Sequence, residues 1–288
     1  MTPDSDATPQ ANAPNAPLPA RRRRTRPGGR HRGADSFAVP SDAPPLVLAV
    51  PGPGPSGKAR EFAALTEAAH PGLRVRLAYQ NELAAVLTEV TVGVPTSEVA
   101  AVLAPLTTGP IPAFDAAVRA ATSNVPAVIA RAEALGPHPL IAQALHARLA
   151  EAGLARADRV RLLTMHTAAD GVVVCVVGGE DAVRDAEVTC VLLASRLAIP
   201  VVPVAIDGEE GLAGVGRAVD RLRAAGAGQV AVSPAIIGPE FPGVSLTDAA
   251  ARAKAELAAP LGTHPALIQL VAERYADALE RAWTALEG

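Results

Sequence analysis

The chain has 288 residues, 49% of them hydrophobic and 2% aromatic, with a formal net charge of −3. One Trp, two Tyr and four Phe leave Ala, Val, Leu and Ile to build the core, which suits α/β layers better than a β-sandwich. The charge balance excludes overall steering toward nucleic acid, and apolar runs such as VVVCVV from Val172 to Val177 are too short to cross a bilayer.

Residues 1–44 are rich in Pro, Ala, Asp and Ser, carry RRRRTR from Arg21 to Arg26, and show no apolar periodicity, so a disordered tail is expected there. PGGRHRGADS from Pro27 to Ser36 is not the apolar segment that a twin-arginine export signal requires. The basic tail is read as solvated, with weak contact to an acidic partner as the alternative and without specific nucleic-acid binding.

From Leu46 to Val50 the chain reads as a buried strand, and it runs into GPGPSGKA, Gly52 to Ala59. That octet fits phosphate-loop spacing except at its last place. Pro53 and Pro55 remove two of the N–H donors that cradle phosphate, and Ala59 stands where a hydroxyl would hold magnesium. A tight turn is expected instead. Helical spacing follows over Ala59 to Ala69, then strands at Val75 to Tyr79, Val99 to Leu106 and Val125 to Ala130. LGPHPLIAQALHARL, Leu135 to Leu149, closes a first lobe over 45–158, and 159–170 reads as a linker.

The second lobe, 171–288, repeats the first. LGTHPALIQLVAERY from Leu261 to Tyr275 returns the Leu135 segment 126 residues later, and at the same offset Leu46 falls on Val172 and Arg74 on Pro200. PLTTGP from Pro105 meets PAIIGP from Pro234 three residues out of step, which implies a short insertion. The matching strands are Val172 to Val177, Val201 to Ile206, Val230 to Ile237 and Leu257 to Pro260. The fold class expected is α/β: two similar doubly wound parallel-sheet lobes related by internal duplication, with ligands at the carboxyl ends of the strands. Cys175 and Cys190 read as buried free thiols, which fits a reducing, cytoplasmic setting.

Together, the glycine turn of LVLAVPGPG, the third strand PLTTGP followed by Asp115, the LGPHPLIAQALHARL segment and the repeat resemble the class II chelatase family. These are the sirohydrochlorin cobaltochelatases and ferrochelatases, here in two-lobed, single-chain form over Pro45 to Trp283. The resemblance implies a tetrapyrrole bound between lobes and a divalent metal (cobalt, iron or nickel) as substrate, with no prosthetic group. Such insertion needs an imidazole to hand over the ion and a base to take the pyrrole protons. Where the family carries its metal-handling histidines, this chain has Pro51 and Ile111, and in the second lobe Val177 and Glu240.

Two Gly-x-His-Pro turns remain. They place His138 and His264 at strand edges of both lobes, and these two, with Glu240 as a third, are the candidate metal ligands, helix capping being the alternative. His146, on the polar face of a helix, and His70, in a loop, read as solvated. His166 lies in the linker, and Lys58 and Arg60 lie near the edge, where they could meet substrate carboxylates or simply solvent. Two functions are therefore open: a sirohydrochlorin-type chelatase, and a non-catalytic two-lobed tetrapyrrole- or metal-binding protein.

Overall fold

The structure, a computed structural model, describes residues 43–52, 54–155, 169–207, 211–238, 240 and 244–287. Residues 1–42 of the expected tail, most of the linker, Pro53 and His166 lie outside the described residues, whereas Ala43 is buried and the Pro44 carbonyl accepts from the Tyr275 hydroxyl at 2.7 Å. The first unit runs β1 Leu46–Val50, α1 Gly57–Ala69, β2 Val75–Tyr79, α2 Leu83–Thr91, β3 Val99–Pro105, α3 Pro112–Ser123, β4 Val128–Arg131 and α4 Pro139–Glu151. The second runs β5 Gly171–Val176, α5 Gly179–Leu197, β6 Val201–Ala205, α6 Ala213–Ala224, β7 Val230–Pro234, α7 Val244–Arg252, β8 Glu256–Leu257 and α8 Pro265–Glu287. Both sheets are parallel, in the orders β2-β1-β3-β4 and β6-β5-β7-β8. The two-lobed, chelatase-like α/β fold read from the sequence is the fold observed.

The register dates the insertion. Leu46 pairs with Val75 and Val172 with Val201, both 126 apart, whereas Ala49 pairs with Pro105 and Cys175 with Pro234, so the third strands are offset by 129. The insertion therefore lies between the second and third strands, where α6 has 12 residues and α2 has 9. Strand ends fall short of expectation where proline intervenes. Pro126 has no N–H for the ladder and β4 starts after it; Pro234 ends β7; Pro260 leaves β8 only two residues.

β1 and β5 are unbroken apolar runs because helices cover both their faces. Val47 and Ala49 pack with α2 and α3, and Val173 and Cys175 with α6 and α7. The opposite faces, Leu46, Leu48 and Val50 with Val172, Val174 and Val176, share one core with residues of α1, α4, α5 and α8. Within that core the last helices cross over: α4 lies against β7 of the second sheet, and α8 against β3 and β4 of the first. The crossing corrects the reading of His146. It is 5% exposed because α4 is packed by α5, α8 and β7 at once, leaving little of its circumference to solvent. Among the described residues no helix is long and apolar enough to cross a membrane.

Candidate functional site

The strand edges where the sequence places a site are built from short turns. After β1, Pro51 is buried and Ser56 caps α1, its hydroxyl accepting from the Ala59 N–H at 3.4 Å while its own N–H donates to the Tyr79 hydroxyl at 3.2 Å. Lys58 runs along the helix to Glu61 at 3.1 Å. The serine and lysine of the phosphate-loop-like octet are thus engaged in a helix start, as a tight turn requires. The second lobe ties its equivalent turn differently: the Asp207 carboxylate accepts from the N–H groups of Gly178 (3.0 Å) and Gly179 (3.2 Å) at the start of α5, where a negative charge is favoured. The first unit has the neutral Asn81 at Asp207's place.

After β3, Ile111 is the N-cap residue of α3 and packs on the outer core, its N–H donating to Asp115 at 3.1 Å. Val177 is likewise packed against apolar neighbours. Glu240 turns back on its own loop, where its carboxylate accepts from the N–H groups of Ile237 at 2.6 Å and Gly238 at 2.9 Å. Burial pushes the Glu240 carboxyl up to about 7, against the pull of those two hydrogen bonds.

His138 and His264 are helix caps. Nδ1 of His138 accepts from the Leu140 N–H at 3.2 Å, and Nδ1 of His264 from the Ala266 N–H at 3.1 Å, so each neutral ring carries its proton on Nε2. The imidazole does here what Ser or Asn does at most N-caps, and this explains a residue type that capping preferences alone do not. Burial lowers both imidazole pKa values. Each ring then meets the final helix of the other unit. Nε2 of His138 is 3.9 Å from Glu273 of α8, with Arg274 and Asp277 nearby, and His264 faces Arg148 and Glu151 of α4.

That geometry separates the pair. Glu273 lies nine residues along the chain from His264, so His138 meets α8 about 13 Å along the helix from the His264 cap, at ~1.5 Å per helical residue. Two ligands of one ion must lie within roughly 4 Å of each other. Among the described residues, no group of three or more His, Cys, Asp or Glu side chains could hold a metal ion. His138, His264 and Glu240 are therefore not brought together.

The residues that sequence reasoning missed are the arginines ending each repeat. Nη of Arg148 donates to the Leu261 carbonyl at 2.9 Å, and Nη of Arg274 to the Leu135 carbonyl at 3.4 Å. The signal was present, since both stand ten residues after their histidine in segments already matched. Cys175 and Cys190 are buried and free, as expected; burial pushes the Cys190 thiol up to about 12 and the Cys175 thiol higher still.

No protein-family model matches the chain, and no curated protein sequence matches it. Among solved structures it is similar to SirB from Bacillus subtilis with Fe3+, at a TM-score of 0.60 and 15% identity, over 84% of this chain and 98% of that one. Looser likenesses include an ABC transporter solute-binding protein from Conexibacter woesei (TM-score 0.41, 12% identity, 85% and 82% covered). A carbohydrate transporter from Acidothermus cellulolyticus in complex with myo-inositol scores 0.35, with 14% identity over 85% and 88%. At those scores the two transport proteins carry nothing for this chain. The SirB likeness establishes a chelatase-like fold.

Proposed function

We propose that this chain is a non-catalytic, two-lobed tetrapyrrole-binding protein built on the chelatase fold. One observation carries the reading: the four strand-edge positions that would hold the family's metal-handling histidines are Pro51, Ile111, Val177 and Glu240, while His138 and His264 cap separate helices. Without two converging donors a cleft cannot take an ion and pass it on. The tetrapyrrole is supported by the family resemblance, by the fold likeness to SirB, and by Lys58 and Arg60 at the first lobe's edge, cations suited to carboxylate side chains.

A second reading, insertion of a divalent metal, is favoured by Glu240 alone. It occupies one of those four positions with a carboxyl near 7, where a base for pyrrole protons would be poised. Sirohydrochlorin mixed with the protein, with and without cobalt(II), separates the two by visible spectrum. Binding without insertion shifts the tetrapyrrole bands, and cobalt incorporation then proceeds at the rate seen without protein. Accelerated insertion that Glu240→Gln abolishes would establish the second reading, and an unshifted spectrum would remove both.

A further inference from the structure

The second unit carries a groove between α6 and α7, on the face of its sheet turned away from the core that the two units share. Its volume is about 500 Å³. At the offset of 129 fixed by the third strands, LAGVG from Leu212 falls on LAAVL from Leu83, so Gly216 stands where the first unit has Leu87. Leu87 is fully buried, in one cluster with Phe114 of α3. Gly216 instead meets open space: a Cβ built on it would have no atom within 4 Å. Neither packing nor a left-handed backbone demands this glycine, although glycine inside a helix weakens it. The missing side chain leaves a floor of small residues, with Ala213 and Ala249 beside Gly216.

The groove is also cationic. Arg223, Arg252 and Lys254 line it against a single carboxylate, Asp220. Arg223 is engaged, its two Nη groups donating at 2.8 Å to the carbonyls of Ala253 and Lys254. Those bonds cover carbonyls at the C-terminus of α7, whose negative dipole end would otherwise repel an anion. The side chains of Arg252 and Lys254 are exposed and have no ion pair or hydrogen bond among the described residues. Lys254 has φ +50 just past the end of α7, where glycine is the usual residue and a lysine is strained. The helix dipole accounts for Arg252, in the last turn of α7, but for neither the strained lysine nor the unpacked glycine. A ligand accounts for both.

We propose that this groove binds a small organic molecule carrying two or more phosphate or carboxylate groups, its charges on Arg252 and Lys254 and its body over Gly216. The volume lies within the roughly 300–1,000 Å³ typical of small-molecule sites. The site lies on the outer face of one unit and does not rest on the tetrapyrrole reading.

Inorganic pyrophosphate and citrate are the probes, titrated calorimetrically into the full chain at low salt. At least one should bind with a Kd below about 1 mM, the range of two charge-assisted contacts. Lys254→Gly should weaken that binding about tenfold or more without lowering the melting temperature, because glycine suits the left-handed position that lysine strains. Gly216→Leu gives the second unit the side chain that Leu87 supplies in the first, and should abolish binding in a folded protein. Should Gly216→Leu not fold, Lys254→Gly decides the matter alone. Wild-type protein that binds neither probe overturns the groove. So does binding that is equally strong in Lys254→Gly, which would place the anion elsewhere, at Lys58 and Arg60 or on the arginines from Arg21 to Arg26.

Discussion

Arg148 of α4 donates to the carbonyl of Leu261 at 2.9 Å, and 126 residues on, Arg274 of α8 donates to Leu135 at 3.4 Å. Each unit's final helix thus grips the Leu-Gly-x-His-Pro turn of the other. Leu135 and Leu261 are fully buried, the histidines cap, the prolines take the first helical position, a Cβ on Gly136 would overlap the Thr108 carbonyl and Gly262 has φ +55, so every fixed residue of the motif has a structural task. Arg148→Ala should cost about 1.5–3 kcal/mol, the range for a hydrogen bond from a charged donor, read as a lower urea midpoint at unchanged slope. Arg274→Ala should cost less, because its bond is longer. A loss under 0.5 kcal/mol for Arg148→Ala would make the cross-unit grip incidental.

The two capping imidazoles should make the fold acid-sensitive. A protonated Nδ1 cannot accept the Leu140 or Ala266 N–H, and burial already holds both pKa values below the usual histidine range. The contribution is therefore fully present above about pH 6.5, and it is lost as pH falls below that value, where the unfolded chain takes up protons first. Around His138, Glu273 and Asp277 work against this and Arg274 with it; around His264, Glu151 works against it and Arg148 with it. His138→Asn with His264→Asn keeps a capping acceptor that does not titrate. Urea midpoints of wild type should drop between pH 7.5 and 5.5 by more than those of the double variant. Equal drops would show that the caps do not couple to protons.

Much of the fold was legible because the duplication checks itself. β1 and β2 fall on the expected residues, since an apolar run bounded by a glycine turn at two places 126 apart leaves little freedom. The crossing of α4 and α8 was not legible, because an apolar helix reads the same whichever sheet it covers; the price was His146, assigned to solvent. In the candidate site, His138 and His264 stood out from the sequence as metal ligands with helix capping as the alternative, and it is as caps that the structure shows them. A sequence shows that a ring stands before Pro139 or Pro265 but not that Nδ1 turns toward the N–H two residues on. Arg148 and Arg274 were inside the aligned segments, and an arginine repeated at the same place, ten residues after each histidine, was the signal to follow.

The two glycines opening α5 should respond very differently to alanine. Gly178 has φ +125, and an added Cβ would overlap the Pro110 carbonyl and come within 2.9 Å of the Ala182 Cβ. Backbone strain and collision together should cost more than about 3 kcal/mol or prevent folding. Gly179 has φ +68 with nothing within 4 Å of the added atom, so Gly179→Ala should cost only about 1–2 kcal/mol, the penalty of a left-handed alanine. Circular dichroism melts of the two variants test the contrast, and comparable melting temperatures would mean that Gly178 does not meet Pro110 as described.

The last expectation concerns whether the two sequence units, 45–158 and 171–288, are folding units. Each has its own four-stranded sheet, yet α4 lies on β7 and α8 on β3 and β4, so a half-chain alone would expose the sheet face that the other half's last helix covers. Leu267, Leu270 and Val271 of α8 are at most 1% exposed, and losing their cover uncovers a contiguous apolar surface of the kind that drives aggregation. A chain cut after Asp158 should therefore give two fragments that are insoluble or molten apart and form a one-to-one complex when co-expressed, with α4 and α8 exchanged between them. Copurification through a tag on one fragment, followed by analytical ultracentrifugation, reads this directly. A first fragment that is monomeric, soluble and cooperatively melting on its own would show that the crossing helices are dispensable, and would restore the two units as independent domains.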